Sequence, residues 1–131
     1  MIIPRLLYFI FFIFFLFGCI QRESQDFLMF KVSDTEFFHL KPQCVNDVIY
    51  AGEDEVGNDY IDIHVKKNEY CLGKLDQLLR SNIGAVLTIY FSERKIVSAT
   101  IQSAIGEKFR ITVPDRLTGI RIRDSLLGVR F

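Results

Sequence analysis

Between residues 59 and 113 the chain repeatedly alternates apolar and polar side chains. Ile61, Ile63 and Val65 interleave with Tyr60, Asp62 and His64; Leu87, Ile89 and Phe91 interleave with Thr88 and Tyr90. Val97, Ala99 and Ile101 do the same with Ser98 and Thr100, and Phe109, Ile111 and Val113 with Arg110 and Thr112. A period of two is the pattern of a half-buried strand, and repeated clean alternation suits an antiparallel sheet covered on one side only. "SERK" at 92–95 reads as a hairpin turn, and Pro114 closes the last strand because it has no N–H to donate. Upstream, "FLMFKVSDTEFFHL" (27–40) is broken at Ser33-Asp34 and reads as two short strands or a strand and a turn. "GEDEVGND" (52–59) reads as a solvated turn between strands ending near Tyr50 and starting near Asp59.

Such a sheet needs a cover, and helical spacing supplies it. Asn68 is placed to cap a helix carrying Leu72, Leu75, Leu78 and Leu79 on one face, with Gly84 as its stop after Asn82. A weaker pattern, Leu117, Ile120 and Leu127, lies between Pro114 and Gly128 and predicts a C-terminal helix with Ile122 off its stripe. The expected fold class is α+β: an antiparallel sheet of about four to five strands with one or two helices packed on one face.

The front of the chain is different in kind. Arg5 precedes an unbroken apolar run of twelve residues, Leu6 to Phe17. A membrane-spanning helix needs about 20 apolar residues, so a run this short reads as the apolar region of a signal peptide. Leu16-Phe17-Gly18-Cys19 resembles the lipobox of bacterial lipoproteins. The resemblance implies cleavage after residue 18 and covalent lipid, palmitate among the acyl chains, on Cys19. Several chains, at about 0.8 kcal/mol per buried methylene, give stable anchoring where one would be marginal. The competing readings are a plain secretory signal and an uncleaved anchor with Cys19 incidental. Ile20 stands where, in the sorting rule of enteric lipoproteins, Asp retains the protein at the inner membrane. The resemblance thus implies a cell-envelope protein facing the periplasm, with the outer membrane favoured over the inner. Residues 1–18 are then signal, 19–26 a polar tether and 27–131 a single domain. Fully extended, the seven residues from Ile20 to Asp26 reach about 25 Å.

Acidic and basic residues balance at 16 each, which gives no reason to expect nucleic acid as a partner. Their distribution is uneven. Asp47, Glu53, Asp54, Glu55, Asp59 and Asp62 crowd one stretch without Lys or Arg, whereas Lys108, Arg110, Arg116, Arg121, Arg123 and Arg130 face only Asp115 and Asp124 in another. Such asymmetry can orient a partner or simply solvate two faces. With Cys19 consumed by lipid, Cys44 and Cys71 remain in an oxidising compartment, where pairing is expected. Two buried free thiols are the alternative, because spacing alone does not show that the side chains meet.

In that order of elements, residues 45–113 resemble the head subdomain of the periplasmic P1 region of the protein-export factor SecD. "YIDIHV", "LGKLDQLLRSNIG", "AVLTIYF", "KIVSATIQSAIG" and "FRITV" reproduce its strand, short helix with an N-x-G exit, strand, turn, second strand and Gly before a third strand. The resemblance covers about half of the chain and implies that fold, with a contact surface for polypeptide. The transmembrane helices that couple the export factor to protons have no counterpart in it.

Candidate chemistry is sparse. His39 and His64 are the two histidines, His64 on the polar face of a strand, and no metal-ligand cluster forms around them. "GEDEVGND" lacks the alternating ligands and terminal Glu of a calcium loop. No metal, no cofactor and no enzymatic activity are expected. The candidate binding face is the polar side of the sheet: Asp62, His64, Thr88, Tyr90, Ser98, Thr100, Arg110 and Thr112. The expected function is that of a membrane-anchored, non-enzymatic module for a protein or polypeptide partner. An immunity or inhibitor lipoprotein that blocks an effector or hydrolase is the alternative.

Overall fold

In a computed structural model the described residues are 27–128. The signal peptide, Cys19 and the tether therefore lie outside the described residues, as does Arg130 of the basic stretch.

Among the described residues seven strands and two helices follow in order: β1 (Leu28–Lys31), β2 (Phe37–Leu40), β3 (Val45–Glu53), β4 (Asp59–Val65), α1 (Lys74–Arg80), β5 (Val86–Phe91), β6 (Arg94–Thr100), β7 (Lys108–Val113) and α2 (Arg116–Leu126). A single 3-10 turn, Pro42–Cys44, leads into β3, and a π-type turn, Glu69–Gly73, leads into α1. The fold is α+β and every strand pairing is antiparallel.

The strands divide into two sheets. One has four strands in the order β2-β1-β5-β6; the other has three, β3-β4-β7. The chain changes sheet three times: between β2 and β3, through α1 between β4 and β5, and between β6 and β7. One core serves both sheets. Leu28, Phe30, Phe38, Leu40 and Ile89 project into it from the first sheet, and Val48, Ile61, Ile63, Val65, Ile111 and Val113 from the second. The rings of Phe30 (β1) and Phe109 (β7) meet edge-on at 5.9 Å between centroids, carrying contact from one sheet to the other.

Asn68, expected to cap the helix directly, instead caps the π-type turn that leads into α1. The Asn68 side chain accepts hydrogen bonds from the backbone N–H groups of Tyr70 and Cys71 at 3.0 and 2.9 Å, satisfying donors that a helix start leaves free. Leu75 and Leu79 are buried against the core. At the other end the Asn82 amide donates to the Leu78 carbonyl at 2.8 Å and also to Glu36 in the β1–β2 turn. Gly84, at φ +91°, then lets the chain turn into β5.

Helix α2 is present but rotated from its sequence expectation. The expected stripe of Leu117, Ile120 and Leu127 does not face the core: Leu117 is 65% exposed and Leu127 is also exposed. Gly119, Ile122 and Leu126 line the buried side instead, with Ile122 at 0%. The cause is the absent side chain at residue 119. A β-carbon there would stand 3.2 to 3.3 Å from Val113, Ile61 and Tyr50, so the helix approaches the three-stranded sheet along the line that its glycine opens. Asp115 caps this helix by accepting from the Thr118 backbone N–H at 2.7 Å.

Cys44 and Cys71 form a disulfide, Cα to Cα 5.2 Å. It joins the turn before β3 to the turn that starts α1, fastening a strand of one sheet to the element through which the chain crosses to the other.

Candidate functional site

Alternation in β4 and β7 turns one row of side chains inward and leaves the other outward. Across the three-stranded sheet Ile61 pairs with Ile111 and Ile63 with Phe109 on the core side, while Asp62 pairs with Arg110, Tyr60 with Thr112 and His64 with Lys108 on the outer side. Edge strand β3 adds Asp47 opposite His64 and Ile49 opposite Asp62. Helix α2 lies against the core side, through the contacts of Gly119, so the outer side keeps its polar row uncovered by either helix.

The centre of this face is an ion pair laid beside an aromatic ring. The Arg110 guanidinium donates from Nε to Asp62 Oδ1 at 2.7 Å and from a terminal nitrogen to Oδ2 at 3.0 Å, a two-pronged geometry that fixes both side chains. Its carbon stands 5.5 Å from the centroid of Tyr60, within range of a cation–π attraction. Hydrogen bonding from Arg110 holds the Asp62 carboxyl below the usual carboxylate range, against a smaller opposing effect of burial. Tyr60 is fixed in turn by donating its hydroxyl to Asp54 Oδ2 at 2.7 Å, and that bond raises the phenol above its ordinary value. His64 Nε2 stands 3.6 Å from Glu107. Ile49, 55% exposed, places an apolar side chain beside these charges. Asp47, Ile49, Asp62, His64, Lys108 and Arg110 border a shallow cleft of about 440 Å³.

The eight residues expected on one polar face are divided by the two sheets. Asp62, His64, Arg110 and Thr112 share the outer face of the three-stranded sheet. Thr88, Tyr90, Ser98 and Thr100 lie on β5 and β6, in the four-stranded sheet, where Thr88 Oγ1 and Ser98 Oγ are 2.9 Å apart. The physical reason is that alternation assigns a residue to a side of its strand and says nothing about which neighbour the strand takes; β5 pairs with β1 rather than with β4 or β7. Asp47 and Ile49 complete the first face and were missed, because β3 alternates poorly. Two register shifts, between Val45 and Asp47 and between Tyr50 and Gly52, interrupt its period.

The segregated charges of the sequence meet within the fold. The acidic hairpin β3–β4 lies beside β7 and α2, where Arg110 pairs with Asp62, Arg116 stands 5.9 Å over the Tyr50 ring, and Tyr50 donates to Asp59. Asp54 is held by its own turn, accepting from the backbone N–H groups of Val56 and Asn58 at 3.0 and 2.8 Å. Among the described residues no group of three or more metal-ligating side chains converges, and no helix is long and apolar enough to cross a membrane.

Fold and face together define a small two-sheet α+β domain with an uncovered polar and aromatic surface. Among solved structures it is similar to that described as "a membrane component SecDF that enhances protein export", with a TM-score of 0.55 at 21% identity over 66% of this chain. The similarity is one of fold. It spans 39% of the SecDF chain. No family model matches the sequence, and no curated protein matches it.

Proposed function

We propose that this chain is a lipid-moored protein of the bacterial cell envelope whose domain holds a protein or polypeptide segment on the outer face of the β3-β4-β7 sheet, without bond-making chemistry. The observation that carries the reading is the Arg110–Asp62 pair set between Tyr60 and exposed Ile49 on a face that neither helix covers. A fixed guanidinium and carboxylate offer donors and acceptors to a passing main chain, and Ile49 offers apolar contact, the mixture found at the rims and cores of protein-binding surfaces. The fold's likeness to a component that enhances protein export supports a polypeptide as the occupant. The lipobox-like Leu16-Phe17-Gly18-Cys19 supports the mooring. An inhibitor role stands second, because much of the charge asymmetry that would steer an effector is paired inside the domain.

Binding of a chemically unfolded, fluorescently labelled polypeptide, followed by anisotropy, tests the face. Ile49→Asp combined with Arg110→Ala should weaken binding at least tenfold while a Val86→Asp change on the other sheet leaves it intact. Equal binding by wild type and the double variant discards the face. Intact mass of the protein extracted from cells tests the mooring, since an acylated chain starting at Cys19 is expected and an uncut, unmodified one removes the anchor.

A further inference from the structure

The outer face of the four-stranded sheet has a composition unlike that of its three-stranded counterpart. Its first rows are aromatic and apolar: Met29 lies directly between His39 on β2 and Tyr90 on β5. Phe27, just before β1, packs its ring against that of His39 at 4.5 Å between centroids, and Phe37 packs against the same ring at 5.2 Å, both pairs tilted. Phe37 is 48% exposed even so. Around this patch stand lysines. Lys31 opposes Phe37, Lys95 opposes Tyr90, and Lys41 is close enough to His39 to help burial lower its basicity. Asp34, bonded to Lys31 at 2.8 Å, is the carboxylate beside them.

We propose that this face rests on a phospholipid surface, with Phe27, Phe37 and Met29 at the boundary between headgroups and acyl chains and Lys31, Lys41 and Lys95 on anionic phosphates. Two observations select lipid as the occupant. Phe27 belongs to the patch and is separated from Cys19 by only Ile20 to Asp26, a span of at most about 25 Å. The patch is thus the part of the domain that the chain itself brings nearest to the apolar segment. Its chemistry is also that of an interface: phenylalanine rings enter the boundary between headgroups and acyl chains, a tyrosine such as Tyr90 keeps its hydroxyl at headgroup level, and lysines lay their methylenes on apolar surface while the ammonium reaches the phosphate. This rests on the mooring reading given above.

The sequence contains no tryptophan, so a single introduced one reports alone. The full chain carrying Phe37→Trp is reconstituted into vesicles of zwitterionic and anionic phospholipid with brominated acyl chains, beside a reference carrying Ile49→Trp on the other sheet. Emission from position 37 should be quenched at least twofold, position 49 should be unaffected, and Lys31→Glu with Lys95→Glu should reduce the quenching by half or more. Phe27→Trp provides a second reporter within the same patch. Equal quenching at positions 37 and 49, or an indole at position 37 shielded from aqueous iodide yet untouched by brominated lipid, overturns the lipid contact. Flotation separates the two readings: a chain that floats with vesicles but shows no quenching loses only this face, whereas one that does not float loses the mooring and the face together.

Discussion

A β-carbon placed on Gly119 would stand 3.2 Å from Cγ2 of Val113, closer than side chains ordinarily pack. Ile61 and Tyr50 would be met at 3.3 Å in the same step. Alanine is favoured over glycine within a helix by about 1 kcal/mol, yet here three packed neighbours, Val113 and Ile61 among the most buried, must all give way. Overpacking of that kind costs about 1–3 kcal/mol. Gly119→Ala is therefore expected to lower stability by about 1 kcal/mol in urea denaturation, and Gly119→Leu by several times as much. A more stable alanine variant would show that α2 is not seated against the sheet by its glycine.

The β5–β6 hairpin turns on Ser92 and Glu93, both at positive φ, 49° and 66°. Two-residue turns of this hand favour Asn-Gly, because non-glycine residues resist the left-handed region. Glu93→Gly is expected to raise stability by about 0.5–1 kcal/mol, and Ser92→Asn with it by somewhat more. The change is read as a rise in melting temperature, and the polypeptide binding proposed above should be unaltered, since neither residue lies on the β3-β4-β7 face. An unchanged or lower melting temperature would contradict the turn geometry.

Reduction of Cys44–Cys71 opens a closed loop with a sequence separation of 27. In the chain-entropy account that costs about 3–4 kcal/mol, chiefly by freeing the unfolded chain. Denaturation of the wild type with and without reductant, beside a Cys44→Ala, Cys71→Ala variant, should show equal losses in the reduced wild type and the variant. A double-alanine protein as stable as the oxidised one would deny the cross-link its role.

Much of this architecture is written in local chemistry. The four alternating segments, the Asn68 cap, the exit through Asn82 and Gly84 and the stop at Pro114 are each decided within a few residues, and each falls where the pattern places it. What escapes the sequence is long-range choice. Ser92-Glu93 reads as a turn from its neighbours, but the partition of strands into two sheets depends on β1, a four-residue strand, competing successfully for β5. The orientation of α2 escapes for a related reason: counting apolar residues favours Leu117 and Leu127, while the packed face is chosen by the residue with no side chain at all. Asp115, directly after Pro114, was an available signal for where that helix starts. Cysteine count suggested the disulfide, and only the fold brings the two α-carbons to 5.2 Å. For the site, Asp62, His64, Arg110 and Thr112 were legible from period two, whereas Asp47 and Ile49 were hidden by the irregular β3.

The irregularity of β3 has a consequence for how copies of this molecule meet. At nine residues it is the longest strand among the described residues, and it forms an outer border of its sheet with one side of its backbone free of a ladder partner. A straight border of that length would template a second chain and, through it, fibrils. The two breaks in register leave no run in unbroken step longer than Asp47 to Tyr50, and the twist they add turns the amides on either side out of line. Neighbouring molecules can therefore touch along this border without zipping into a continuous sheet.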